Sequence, residues 1–158
     1  LLAAHRRYGD QMAVVMVPVP LEARCNPTIK QTNPLHYHAC TYARLAYGIW
    51  KADPAQFETY DRWLFDPVHP PPPDVARNNA ESRVGAEPLA AVLRDGWPDR
   101  QIARNIELFT TAHLDRLPII VGSMGILKGL VPDAAELFDL IEEHSTLRPV
   151  AVAPSGAG

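Results

Sequence analysis

The chain has 158 residues, of which 47% are apolar and 21% are charged, and its formal net charge at neutral pH is −3. This length and composition are typical of a globular domain with one apolar core. The lysines and arginines are scattered and form no basic stripe with interleaved aromatic residues, which argues against a nucleic-acid partner. The longest apolar run, MAVVMVPVPL, reaches only half of the ~20 residues that a membrane helix needs, and prolines interrupt it. No secretion signal is visible.

The first predicted elements are a helix and a strand. LLAAHRRYGDQ at 1–11 has the pattern of an amphipathic helix that stops at a glycine. Because it has no capping residue at its start, we expect a fragment that begins inside a helix, with any targeting segment or anchor of the parent protein lying before it. The run MAVVMV at 12–17 ends at Pro18, which predicts a strand buried on both faces.

The middle of the chain is predicted to be helical. Asn33 and Pro34 have the residue types of an N-cap and a first helical position, and apolar residues follow at three- and four-residue spacing. Asp53 and Pro54 repeat this signal for a second helix. Further helices are predicted at 74–85, 87–96 and 98–115, the last with His113 on its buried face.

The pattern changes after residue 117. Two short β-rich runs, 119–121 and 126–130, are joined by a Gly-Ser-Met-Gly turn and predict a β-hairpin. PDAAELFDLIEEH then predicts a helix with acidic residues toward its start. The resulting order of helix, strand, several helices, hairpin and helix is an α/β plan with a helical insertion.

The stretch RCNPTIKQTNPLHYHACTYARLAYGIW holds both cysteines of the chain, Cys25 and Cys40, with His36 and His38 beside the second. A disulfide between them would close a loop of about 15 residues and stabilise the fold by roughly 3 kcal/mol in the chain-entropy description. Three alternatives stay open: two buried free thiols, a metal site of Cys25, His36 and Cys40 with or without His38, and a nucleophilic cysteine with a histidine base. The closely spaced ligand pairs of zinc sites are missing, and a cysteine in mid-helix gains no activation from the helix dipole. These arguments favour the disulfide.

The segment DRLPIIVGSMGILKGLVPDAAELFDLIEE resembles the C-terminal half of a thioredoxin fold. Pro118 occupies the place of that fold's cis-proline, and Gly129 the place of its hairpin glycine. GDQMAVVMVPVPL and the order of an Ala-rich helix followed by DPAQFETYDRWLF are similar to the DsbA-like branch, whose members are bacterial extracytoplasmic thiol-disulfide oxidoreductases with a helical insertion. The resemblance implies an α/β, thioredoxin-like (DsbA-type) fold that lacks the first strand and the start of the first helix.

The same resemblance implies the domain organisation and the site. We expect an incomplete thioredoxin-like domain at 1–144, a helical insertion at about 26–114 and a disordered tail at 145–158. The Cys-x-x-Cys that performs the family's chemistry is absent, so we expect no catalytic residue in this chain. Leu117 and Pro118 are the expected substrate-binding residues, because a cis peptide bond there would expose backbone groups to an extended substrate. An ordinary trans proline that opens a strand is the alternative.

The functional expectation is therefore a fragment of an extracytoplasmic oxidoreductase that exchanges disulfides with protein thiols, without a metal or organic cofactor. A membrane redox protein is a further candidate partner. An extracytoplasmic compartment would also favour the Cys25–Cys40 disulfide. Two other functions stay open: a thioredoxin-like binding module without redox chemistry, and a metal-binding protein that uses Cys25, His36 and Cys40.

Overall fold

A computed structural model of the chain describes residues 2–66, 69–114, 117–122, 125–129 and 131–150. Within these ranges the chain forms seven α-helices and two β-strands. The helices are α1 (Leu2–Tyr8), α2 (Ala39–Ala52), α3 (Phe57–Phe65), α4 (Pro73–Val84), α5 (Ala86–Asp95), α6 (Trp97–Thr111) and α7 (Ala134–His144), and the strands are β1 (Ile119–Gly122) and β2 (Gly125–Lys128). Short 3-10 helices lie at Gly9–Gln11, Pro34–His36 and Pro54–Gln56.

The predicted α/β, thioredoxin-like fold is wrong, because the described residues are mostly helical and the sheet among them has only two strands. The strand predicted at residues 12–17 is missing from the structure. Met12 has an extended backbone (φ −127°, ψ 125°), yet residues 12–17 belong to no strand. A strand needs a ladder partner for its N–H and C=O groups. The strands β1 and β2 pair with each other, and no described residue forms a ladder with 12–17.

Contacts divide the chain into two compact units, which are described separately. The terminal unit consists of Leu1–Met16 and Leu114–Gly158, and the helical unit consists of Val17–His113. The predicted boundaries, an insertion at about 26–114 and a disordered tail at 145–158, stay predictions. Residues 151–158 lie outside the described ranges.

In the helical unit, α2 contacts α3, α4, α5 and α6. Its apolar residues recur at helical spacing, so that they form one continuous face that the other helices cover. The largest buried cluster combines this face with the neighbouring helices and consists of Tyr42, Leu45, Ala46, Ile49, Tyr60, Leu64, Ala76, Ala80 and Leu89. The other helices of the unit therefore pack around the apolar face of α2.

A glycine allows α2 and α5 to approach closely. A Cβ atom at Gly48 would lie 2.7 Å from Cδ1 of Leu89 and 3.4 Å from Cδ2 of Leu93. Because Leu89 is fully buried, its side chain has little room to move away. This packing explains a glycine in mid-helix, where its intrinsic propensity is unfavourable.

The predicted capping residues act as caps, but the helix that follows Asn33 begins later than predicted. The side chain of Asn33 accepts a hydrogen bond from the Leu35 N–H (3.0 Å) and caps a 3-10 turn. His38 then adopts a left-handed conformation (φ 70°), and α2 begins at Ala39. Cys40 is consequently in the first turn of α2. At the other end of the helical unit, His113 follows the end of α6 and is exposed, so its predicted buried position on the helix is wrong.

In the terminal unit, α1 packs against α7 through Ala4, Tyr8 and Leu137, all of which are buried. The Tyr8 hydroxyl donates to Oε1 of Glu142 (2.9 Å), and Arg7 donates to the same oxygen through Nε (3.0 Å) and Nη2 (2.9 Å). These two donors hold the pKa of Glu142 below its usual value, Arg7 having the larger effect. The same residues therefore make the contact between the two helices sensitive to acid.

Residues 145–150 also contact the start of the terminal unit. The Val150 N–H donates to the Arg7 carbonyl (2.8 Å), and Nε2 of Gln11 donates to the Arg148 carbonyl (2.9 Å). These bonds place the segment after α7 alongside α1.

Replacing Leu89 with Ala is expected to lower the free energy of unfolding by about 2–5 kcal/mol, because it leaves a cavity in the main cluster of the helical unit. Leu108→Ala is the matched control: Leu108 is also helical but 60% exposed, and we expect a change within about 0.5 kcal/mol. Urea denaturation followed by circular dichroism measures both values. Equal losses in the two variants would contradict the assigned core.

Replacing Glu142 with Gln is expected to destabilise the protein at neutral pH and to have little effect in acid. A carboxyl group with a lowered pKa stabilises the fold fully above its ordinary pKa of about 4.3, and this contribution disappears as the pH falls through the folded-state pKa. The unfolding midpoint in urea at pH 7 and pH 3 measures the difference. Glu143→Gln, at an exposed neighbour, serves as the control and should leave the pH dependence unchanged.

Candidate functional site

A disulfide joins Cys25 to Cys40, with 6.0 Å between the two Cα atoms, and this prediction is confirmed. Cys40 is 2% exposed and Cys25 is half-buried. The bond connects the non-helical segment before residue 26 to the first turn of α2. It therefore fixes the entrance of the helical unit to its central helix.

A buried carboxylate supports this connection. Glu22 is 8% exposed, and its Oε2 accepts the backbone N–H of Cys40 (2.8 Å). Its Oε1 lies 3.3 Å from Nε of Arg24. A carboxylate at a helix N-terminus is stabilised by the free N–H groups and by the helix dipole. Glu22 thus acts as a remote cap for α2, which compensates for the absence of a side-chain cap at His38.

The turn that contains Cys25 is closed by a second buried polar residue, Asn26. Its Nδ2 donates to the Pro20 carbonyl (2.8 Å), and its Oδ1 accepts from the N–H (3.1 Å) and the hydroxyl (2.6 Å) of Thr28. The sequence patterns pointed to neither Glu22 nor Asn26. The Asn-Pro dipeptide at 26–27 is a usable turn signal, but nothing in the sequence distinguishes Glu22 from a surface glutamate.

The three alternatives (free thiols, a metal site and a nucleophilic cysteine) all require an unpaired sulfur atom, and both sulfur atoms are in the disulfide. Neither cysteine is free, so the chain has no thiol that could act as a nucleophile or as a thiolate ligand. The predicted mid-helix position of Cys40 is also wrong, since the residue lies in the first turn of α2. With its sulfur in a disulfide, Cys40 cannot use that position as an activated thiolate.

His36 and His38 do not form a metal site with the two cysteines. His36 ends a 3-10 turn, and His38 precedes α2 with its ring against that of Tyr42 (6.3 Å between centroids). Among the described residues, no group of three or more His, Cys, Asp and Glu side chains is arranged to hold a metal ion.

The predicted substrate-binding residues lie at the start of the hairpin in the terminal unit. The peptide bond between Leu117 and Pro118 is cis, the isomer that the resemblance to thioredoxin-fold proteins implies. Leu117 is 36% exposed and Pro118 is exposed. Within the described ranges, the backbone of Leu117 has no hydrogen bond to another residue. A role of Leu117 and Pro118 in substrate binding stays a prediction.

The hydrogen bonds of the hairpin show which edge of β1 is unpaired. The Gly129 N–H donates to the Pro118 carbonyl (2.9 Å), and hydrogen-bonded pairs alternate with non-bonded pairs in antiparallel strands. From the register Ile119↔Lys128, Ile120↔Leu127 and Val121↔Ile126, the backbone groups of Ile120 point toward β2. Those of Ile119 and Val121 point away from it, and no described residue pairs with them. We call these groups the outer edge of β1.

A depression in the surface of the helical unit is lined by two arginines. It has a volume of about 260 Å³, and Arg44 and Arg77 are among its lining residues. Arg77 donates to Glu81 (2.8 Å), and Nε of Arg44 lies 2.9 Å from Oδ1 of Asp99 without the alignment of a hydrogen bond. Both guanidinium groups therefore already face carboxylates, which makes an anion site there unfavourable.

In the described part of the chain, no helix has the length and apolar content that crossing a membrane requires.

Removing the disulfide is expected to lower the free energy of unfolding by roughly 3 kcal/mol, because the unfolded chain regains the entropy of an open 15-residue loop. The double variant Cys25→Ser/Cys40→Ser tests this in urea denaturation. Reductant should destabilise the parent protein by a similar amount and leave the double variant unchanged. If reductant affects neither protein, the assigned bond makes no contribution to stability.

No protein-family model, curated protein or solved structure matches this chain. The resemblance to DsbA-like proteins therefore remains a prediction, and the function has to be inferred from the residues of the chain itself.

Proposed function

We propose that this chain is part of an extracytoplasmic thiol-disulfide oxidoreductase, in which it binds the protein substrate. Cysteines outside these 158 residues would carry out the exchange. The observation that supports this role best is the backbone of Leu117, which has no hydrogen bond to a described residue and leads into the outer edge of β1. Such an arrangement suits an extended polypeptide, which can pair through its main chain.

In this proposal, Leu117 and Pro118 contact the substrate near its reacting cysteine. Leu117 offers both a partly exposed apolar side chain and backbone groups that have no partner in the described residues. Backbone pairing gives affinity with little dependence on the substrate's sequence. An enzyme that acts on many different proteins needs this kind of recognition.

The chemical step requires a thiolate that attacks a disulfide sulfur, forms a mixed disulfide and releases the other sulfur as a thiolate. Cys25 and Cys40 are unsuited to start this step, because both are already in a disulfide and Cys40 is almost completely buried. Their proposed role is structural. They join the helical unit's first segment to α2.

The same disulfide is consistent with an oxidising compartment, where such bonds persist. We therefore place the parent protein outside the cytoplasm. Protein thiols and disulfides are the proposed substrates, and a membrane redox protein is a proposed partner that would restore the oxidation state. The proposal includes no metal and no organic cofactor.

A second candidate is a binding module without redox chemistry. It is favoured by the pairing of both cysteines, which leaves the chain with an unpaired strand edge among the described residues but no free thiol. The two candidates predict the same binding residues. They differ in whether the parent protein contains a reactive cysteine pair.

The test uses the polypeptide encoded by the complete reading frame and measures reduction of insulin disulfides. We expect activity in that protein and none in the 158-residue chain, which has no free thiol. Leu117→Asp should raise KM by about tenfold, which corresponds to about 1.4 kcal/mol of lost binding, and should leave the folding stability unchanged. Leu35→Asp, at a residue that is 77% exposed, is the control and should have no effect.

Two results would change the conclusion. An inactive complete protein that still binds unfolded polypeptides through Leu117 would support the second candidate. Equal activity of the Leu117→Asp and parent proteins would remove Leu117 from the proposed site.

A further inference from the structure

The two ends of the Cys25–Cys40 disulfide differ in their access to solvent. Cys40 is 2% exposed, whereas Cys25 is half-buried. A thiol that opens a disulfide has to approach one of its two sulfur atoms, and access is one of the factors that set the rate. The burial of Cys40 therefore leaves Cys25 as the sulfur atom that a thiol from solution can reach.

Attack at Cys25 makes Cys40 the leaving group. The incoming thiolate forms a bond to Sγ of Cys25, the bond between the two protein sulfur atoms breaks, and its electron pair stays on Sγ of Cys40. The incoming sulfur is oxidised and the sulfur of Cys40 is reduced, after which it takes a proton from water. The reaction is therefore fast only if the surroundings of Cys40 tolerate a negative charge.

The position of Cys40 in the first turn of α2 would by itself favour this negative charge. The free N–H groups at a helix N-terminus, together with the helix dipole, stabilise a thiolate. In this chain a carboxylate already uses that position, because Oε2 of Glu22 accepts the N–H of Cys40 (2.8 Å). A thiolate at Cys40 would consequently share the helix end with a second negative charge.

The backbone of Glu22 also favours the neutral thiol. Its carbonyl oxygen lies 3.7 Å from Sγ of Cys40. A carbonyl oxygen can accept a hydrogen bond from a thiol, but it has no proton to donate to a thiolate. Because Glu22 is 8% exposed, water screens the repulsion between its carboxylate and a thiolate only weakly.

One positive charge acts in the opposite direction. Nε of Arg24 lies 3.3 Å from Oε1 of Glu22, and Nη2 of Arg24 donates to the hydroxyl of Thr41 (2.6 Å). The Arg24 side chain is 58% exposed, so water weakens its effect more than that of the buried carboxylate. The charge of Glu22 consequently dominates at Cys40.

We propose that small thiols modify the chain at Cys25, and that Glu22 slows this reaction by repelling the Cys40 thiolate that it would release. Cys25 is then the site of a mixed disulfide, and Glu22 is a positioning residue that acts through Cys40. In a compartment where thiols exchange, this repulsion keeps the connection between the loop and α2 closed. The inference holds for both candidate functions, because it concerns a thiol from outside the chain.

The test treats the oxidised 158-residue chain with mercaptoethanol, stops samples with excess N-ethylmaleimide, and locates the adducts by peptide mass spectrometry. We expect the first product to carry mercaptoethanol on Cys25 and maleimide on Cys40. Glu22→Gln keeps an acceptor for the N–H of Cys40 but removes the charge, and should react about tenfold faster. Glu107→Gln, at an exposed glutamate of α6, is the matched control and should react at the rate of the parent.

A variant with the opposite change of charge distinguishes repulsion from a loosened structure. Arg24→Gln removes the positive charge beside Glu22, and we expect it to react about threefold more slowly than the parent. If the loss of contacts controlled the rate, Arg24→Gln and Glu22→Gln would both react faster. A loosened structure would also expose Cys40 and place mercaptoethanol on it.

Three outcomes would overturn the inference. They are mixed disulfides formed equally at Cys25 and Cys40, a Glu22→Gln variant that reacts no faster than the parent, and an Arg24→Gln variant that reacts faster than the parent. None of these measurements involves insulin reduction, so failure of the proposed function and failure of this inference are distinguishable.

Discussion

An extended backbone can be stable only if its N–H and C=O groups find partners outside the segment, and this requirement governs the terminal unit. The hairpin β1–β2 satisfies it on one side of each strand. The outer edge of β1 does not satisfy it within the described residues, and residues 12–17 form no ladder there. An apolar groove in the terminal unit is lined by Met12, by Ile120 and Leu127 of the hairpin, and by Leu140 of α7. The α/β prediction failed on this requirement, because no described residue forms a ladder with residues 12–17.

The helical unit has no such requirement, because each helix pairs its own backbone. Its stability depends on the burial of side chains around α2, and on how the segment before α2 is attached. That attachment uses the Cys25–Cys40 disulfide together with Glu22, which accepts the N–H of Cys40. The covalent bond and the carboxylate act at the same helix end. In the sequence, the two cysteines are candidates for a reactive centre. In the structure, their disulfide connects a loop to a helix.

The function proposed for the chain follows from this division of roles. The cysteines are paired and one of them is buried, so neither offers a free thiol. The proposed binding surface is the backbone of Leu117 and the outer edge of β1, which have no hydrogen-bond partner among the described residues. Recognition of an extended polypeptide is the property that both candidate functions share.

Sequence patterns by themselves determined the local features of this protein. Helical spacing and caps placed α2 to α7 within a few residues, and the Gly-Ser-Met-Gly turn identified the hairpin. The absence of closely spaced zinc-ligand pairs favoured a disulfide between Cys25 and Cys40. These features depend on neighbours in the chain, which a sequence displays directly. The left-handed residue His38, which delays α2, was missed because local propensity gives no reason for it.

Only the tertiary structure decided the fold class, the buried position of Glu22, the contact of Gly48 with Leu89, and the groove beside β1. Each of these depends on atoms that are distant in sequence. MAVVMV has the composition of a strand, but a strand is made by its partner, and no described residue supplies one. Glutamate is usually a surface residue, but Glu22 is buried and accepts a hydrogen bond from the N–H of Cys40. Local sequence determines what a segment can form, and the availability of hydrogen-bonding and packing partners determines what it does form.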